Sequence, residues 1–154
     1  MPEEIHTAIR EYYRIWREME GIYSRFAKKL GLSYHALLVL YALWEQPNQC
    51  SQKQICQRWV ITKQTVHSIL KEFEARGYIT LTPMEADRRN KRILFSDAGL
   101  DFAREAMDAL FSLEERVMLR FSKENRDSMI RNNQAYLDYL TEEIGGAAYE
   151  KEFF

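Results

Sequence analysis

The chain of 154 residues holds only two cysteines, Cys50 and Cys56, and three histidines, His6, His35 and His67. Two thiols without a second thiol pair or a neighbouring histidine exclude a disulfide framework and a structural zinc site. Buried or inert thiols are the plain expectation, with Cys50 the less buried of the two by pattern. The histidines fall in three separate segments and no two share a ligand spacing such as i, i+4, so no metal is expected. No stretch approaches the roughly 20 apolar residues of a membrane span. Residues 1–7 carry no basic leader followed by an apolar run, so a cytoplasmic protein without membrane contact is expected. There is no glycine-rich phosphate loop, no nucleophile motif and no carboxylate pair at a loop crest. Glu142 and Glu143 are adjacent on a helix end and face apart. Neither an enzyme nor a cofactor is expected.

What is present is a well-filled globular composition, 46% apolar and 13% aromatic, enough for one domain with a real core. Net charge is −1, yet its distribution is uneven. Between Lys53 and Arg92 stand nine basic residues against four acidic ones, a local balance of +5, while the rest of the chain carries −6. A basic middle between acidic flanks suits a segment that faces phosphates.

Apolar residues at Ile5, Ile9, Tyr12, Trp16, Met19, Tyr23 and Phe26 step by four and three, which predicts one long helix over residues 4–29, closed by Gly31. Ser33 caps a second helix, Tyr34 to Glu45, apolar almost all round and therefore a core helix. Ser51 caps a short third helix, Gln52 to Trp59. Thr62 caps a fourth, Lys63 to Arg76, stopped by Gly77. Val66, Ile69, Leu70 and Phe73 put one face of that helix in the core and leave Lys63, Gln64, Thr65, His67, Ser68 and Lys71 outside. Two strands follow, Tyr78 to Thr82 and Arg92 to Phe95, forming a hairpin with a long charged tip. A fifth helix runs from Asp97 to about Phe121 and a sixth, capped by Ser122, from Lys123 to about Ile144. Each carries an apolar face, and one small core cannot cover those faces and the first helix as well. A two-fold symmetric dimer built from both ends of the chain is the economical solution.

The expected fold class is thus mainly α with a small β-hairpin wing: a winged helix-turn-helix at residues 51–96 with N- and C-terminal dimerisation helices. A short helix, a turn at Val60 to Thr62 and a helix with a polar outer face have the layout that places its second helix in the major groove of double-stranded DNA. Lys63 and Lys71 can reach phosphates; Gln64, Thr65, His67 and Ser68 can read base edges. A solvated helix face would look the same. The hairpin tip separates the two readings, because Asp87-Arg88-Arg89-Asn90-Lys91-Arg92 concentrates four cations where a mere connector has no use for them. A narrow minor groove draws in such an arginine, and Asp87 can orient it through an ion pair.

The runs Gln64-Thr65-Val66, Leu70 to Ile79, and above all Asp87-Arg88-Arg89-Asn90-Lys91-Arg92-Ile93-Leu94-Phe95-Ser96-Asp97-Ala98-Gly99 resemble the multiple-antibiotic-resistance regulators, the MarR family. That resemblance implies a single domain over 1–154, with a DNA-binding lobe at 33–96 and a helical dimerisation region at 1–32 and 97–154. It further implies a bacterial homodimeric transcriptional regulator, usually a repressor, that binds a near-palindromic operator and is released by a ligand or oxidant. Carried over, Gln64, Thr65, His67 and Ser68 meet the major groove and Arg88 or Arg89 the minor groove, with Lys63, Lys71, Asp87 and Lys91 beside them. Phe95, Asp97, His67 and Ser68 depart from the family's commoner residues, so its operator does not transfer.

Cysteine-sensing members of that family carry the thiol in the first helix, which has none here. A small aromatic or phenolic effector remains, with Tyr12, Tyr13, Trp16, His35 and Trp44 as candidate pocket residues. Core and dimer packing explain the same residues more simply. The alternative to DNA binding is a winged-helix protein-interaction module, for which a cationic wing tip has no purpose.

Overall fold

The structure is a computed structural model, and it describes residues 2–83 and 91–145. Six helices and one hairpin follow in the order α1 (Glu3–Lys29), α2 (Tyr34–Glu45), α3 (Gln52–Trp59), α4 (Lys63–Ala75), β1 (Ile79–Pro83), β2 (Lys91–Phe95), α5 (Asp97–Met118) and α6 (Lys123–Ile144). The chain divides into two compact units, residues 1–99 and 100–154.

In the first unit α2 is the hub, packing on α1, α3 and α4. Its sequence dictates this, since Ala36, Leu37, Val39, Leu40, Ala42 and Leu43 are all buried. Only a helix surrounded by other elements can bury residues on so many sides. Phe73, Leu70, Ile69 and Val66 bring α4 onto it, and Phe73 is fully buried. Each such side chain contributes about 1.5–3 kcal/mol of burial. Three N-caps start these helices where a hydroxyl precedes the first turn: Ser33 accepts from the amide of Ala36, Ser51 from Gln54 and Thr62 from Thr65. Ser51 and Gln54 close a full capping box. Each cap stabilises its helix by about 1 kcal/mol.

The hairpin pairs antiparallel from Ile79 opposite Phe95 to Pro83 opposite Lys91. Its strands differ by a residue from those read in the sequence. Tyr78 is withheld from β1 because its amide closes the end of α4 on Phe73 O at 2.9 Å, whereas Lys91 joins β2 opposite Pro83. The free edge of β2 leans on the α2–α3 loop. Ile93 N donates to Cys50 O at 3.2 Å, Phe95 N to the Asn48 side chain at 3.2 Å, and Ser51 bridges Arg92.

In the second unit Ala103, Ala106, Met107 and Leu110 line the buried side of α5. This helix stops at Met118, three residues before the expected Phe121. Its last amides shift to i−3 carbonyls, Arg120 to Val117 and Phe121 to Met118. The Arg126 guanidinium then takes the carbonyls of Met118 at 3.1 Å and Phe121 at 2.6 Å. Beyond that turn α6 has no buried residue, and Ile130, Leu137, Tyr139, Leu140 and Ile144 stand exposed. Among the described residues no helix is long and apolar enough to cross a membrane.

Candidate nucleic-acid interface

A helix turns about 100° per residue, so the outward side of α4 can be laid out from its numbering. Gln64 and Lys71 fall at the centre of the exposed stripe, His67 and Ser68 to either side, and Lys63 and Thr65 at its borders. All are exposed except Thr65, which is half-buried. The Thr65 hydroxyl lies 2.8 Å from that of Thr62, and its amide donates to the same oxygen at 3.2 Å. Thr65 therefore belongs first to the cap that starts the helix. Gln52 adds a tie from α3, its amide nitrogen donating to Lys63 O at 3.0 Å. The N-terminal end of α4 is thus held by two side chains outside it, Thr62 and Gln52.

The basic residues of this segment separate into two kinds. Arg58 is paired with Glu45 at 2.9 Å, and Arg76 with Glu72. Lys53, Lys63, Lys71, Lys91 and Arg92 are exposed and form no ion pair among the described residues. A cation already paired has less to gain from a phosphate than one that is not. Lys53 lies on α3, outside the polar face of α4. The bridge from Ser51 to Arg92 brings the first turn of α3 beside β2, which adds Lys53 to the cations of the hairpin. Asp87, Arg88 and Arg89 lie outside the described residues.

The other candidate residues fall elsewhere. Tyr12, Tyr13 and Trp16 stand on the first half of α1, 41%, 49% and 55% exposed, with Tyr13 6.4 Å from Trp16 ring to ring. His35 is exposed at the start of α2, its ring 6.0 Å from Tyr34, and Trp44 is half-buried at the end of that helix. Tyr12 lies eleven residues, about 16 Å along the helix, before Tyr23, whose ring meets Tyr34 at 6.4 Å.

The thiols reverse the expected order. Cys50 is the buried one, 4% exposed, and Cys56 is half-buried. The bond from Ile93 N to Cys50 O holds this residue beneath β2, and its thiol donates to Ala42 O at 3.4 Å. Burial pushes both thiols above their ordinary pKa. A protonated, buried thiol is a poor nucleophile. Among the described residues no group of histidine, cysteine or carboxylate side chains could hold a metal.

A capped helix with a polar outer stripe, preceded by a short helix and followed by a basic hairpin, is the arrangement of a winged helix-turn-helix. Residues 30–90 match the model of the MarR family. Over this segment the chain is similar to the MarR family. The chain is similar to the HTH-type transcriptional regulator SarZ of Staphylococcus epidermidis, 24% identical over 128 residues that cover 82% of this chain and 83% of that protein. Among solved structures, MepR of S. aureus in its DNA complex superposes with a TM-score of 0.73 at 19% identity, covering 83% of this chain and 97% of that one. AbsC from Streptomyces coelicolor, a MarR family transcriptional regulator, superposes with a TM-score of 0.77 at 14% identity, covering 91% and 96%. These structural likenesses show the fold. The chain has the winged helix-turn-helix fold of these regulators.

Proposed function

We propose that this protein is a transcriptional regulator of the MarR type that binds double-stranded DNA as a homodimer at a near-palindromic operator, represses transcription there, and is released by a small aromatic or phenolic ligand. The observation that carries the reading is the outer stripe of α4, where Gln64, His67 and Ser68 lie exposed between Lys63 and Lys71. Gln64 can pair with a base edge through two bonds, while the lysines meet phosphates on either side. Lys53, Lys91 and Arg92 extend the cationic surface to the hairpin, and Arg88 and Arg89 extend its charge along the sequence.

Dimerisation is supported by exposed apolar side chains near both ends of the chain. Ile5, Ile9, Trp16, Met19 and Ile22 on α1 are 40–55% exposed, and Leu137, Tyr139 and Ile144 on α6 are 54–65% exposed. Apolar surface on that scale marks an interface. Two copies would present the +5 segment twice, which reconciles DNA binding with a net charge of −1. The aromatic run Tyr12, Tyr13 and Trp16, with His35 and Trp44, supports the ligand class.

The test is a titration against a duplex selected from a random pool, repeated at several salt concentrations. Binding should weaken steeply, with a log–log slope of about −0.9 per phosphate neutralised. Gln64→Ala should cost about 1–3 kcal/mol and relax preference at particular base pairs. Failure to select any duplex, or binding indifferent to salt, would leave a protein-interaction module as the better reading.

A further inference from the structure

Helices α1 and α4 end in the same way. Gly31 N donates to Lys28 O at 3.1 Å and Leu32 N to Ala27 O at 3.0 Å; Gly77 N donates to Glu74 O at 3.0 Å and Tyr78 N to Phe73 O at 2.9 Å. Both glycines are left-handed, with φ of 71° and 74°. Such a pair of bonds is the Schellman closure, and the edge-on contact of Phe73 with Tyr78 at 6.3 Å supplies its usual apolar clasp.

Arg76 ties one closure to the other. Both of its terminal nitrogens donate to Gly31 O at 3.4 Å, across 45 residues of sequence, while the same guanidinium pairs with Glu72 one turn back. Either long bond alone would hold little. A planar guanidinium pinned by Glu72 has already given up much of its rotamer freedom, so the fork meets the carbonyl at small entropic cost. On its other side the same turn receives the start of α5. Ser96 Oγ donates to Gly77 O at 2.6 Å, and Ser96 N to Tyr78 O at 3.0 Å.

We infer that the turn Arg76–Gly77–Tyr78 is the joint at which the end of α1 and the first turn of α5 set the direction of α4, and that Arg76 is a positioning residue for DNA reading. The inference rests on α4 being the reading helix. From Arg76 to Lys63 is about 20 Å at 1.5 Å per residue. A tilt of about 5° at the joint therefore moves the reading end by about 2 Å, more than half the 3.4 Å step between bases on a strand. A small movement of α1 is enough to spoil register on two half-sites at once. Base contacts within one half-site would survive it.

That difference decides the experiment. Wild type, Arg76→Ala and Arg76→Lys are titrated with three duplexes: the selected two-half-site sequence, the same with one base pair inserted between half-sites, and an isolated half-site. Lysine keeps the charge but cannot fork to Gly31 O, so both variants should lose about fivefold or more of the discrimination between the first two duplexes, with half-site affinity unchanged. Equal losses on all three duplexes, or no loss of discrimination, overturn the joint. If wild type selects no duplex, the DNA reading itself fails and the joint is judged by hydrogen exchange. Faster exchange in Arg76→Ala at both Leu32 and Tyr78 amides then upholds it, and an unchanged Leu32 overturns it.

Discussion

Gly99, in the first turn of α5, lies directly against the backbone carbonyl of Tyr78. A Cβ at this position would stand 2.6 Å from the Tyr78 carbonyl carbon and 2.8 Å from its Cα, closer still to the oxygen. The approach is drawn tight by Ser96, whose hydroxyl accepts from Gly99 N at 3.0 Å while donating to Gly77 O. The obstacle is backbone held at both ends, with no flexible side chain to yield. Gly99→Ala should therefore destabilise the protein by about 3 kcal/mol or more, read as a lower denaturant midpoint at unchanged m-value. A loss below about 1 kcal/mol would show that the junction can open without harm.

Val60 ends α3 with φ of 52° and ψ of 38°. A β-branched residue is poorly suited to the left-handed region, at a cost of about 1–2 kcal/mol. Its side chain is 64% exposed, so little packing offsets that strain. Val60→Gly should raise stability by up to about 1 kcal/mol, glycine's extra chain entropy taking back part of the relief. Thermal unfolding checks it. A lower melting temperature would mean that the valine makes contacts worth more than its strain.

The helices were legible because their signals are local. Ser33, Ser51, Thr62 and Ser122 each precede a periodic run and each accepts an amide of the first turn, as a short hydroxyl side chain must if the helix is to start there. What escaped the sequence depends on partners far along the chain. Tyr78 has strand composition but closes α4 on Phe73, and α5 ends early where Arg126 collects its last carbonyls. Cys50 looked the more open thiol because nothing nearby shows that β2 will cover it. In the candidate interface, counting charge could show the basic excess but not that Arg58 and Arg76 are bound to Glu45 and Glu72. Nor could it show that Thr65 is half committed to its own cap.

The two thiols make a further expectation, in alkaline solution. Burial is the main cause that raises Cys50; Arg58 pulls it partly back and Glu45 adds to the rise. Cys56 is raised by burial against its own backbone bond and Lys63. A thiol raised in the folded state keeps its proton after the unfolded chain has begun to lose its own. The unfolded state then binds fewer protons, so stability falls with rising pH. The contribution is complete below the unfolded thiol value of about 8.5 and is lost as pH climbs from there through the folded values. Denaturant midpoints measured from pH 7 to 10 should hold steady on the neutral side of this window and decline beyond it. Cys50→Ala, compared with itself across the same range, should decline less steeply even though its cavity lowers the whole curve. An alkaline limb as steep in that variant as in wild type would show that the loss comes from other groups.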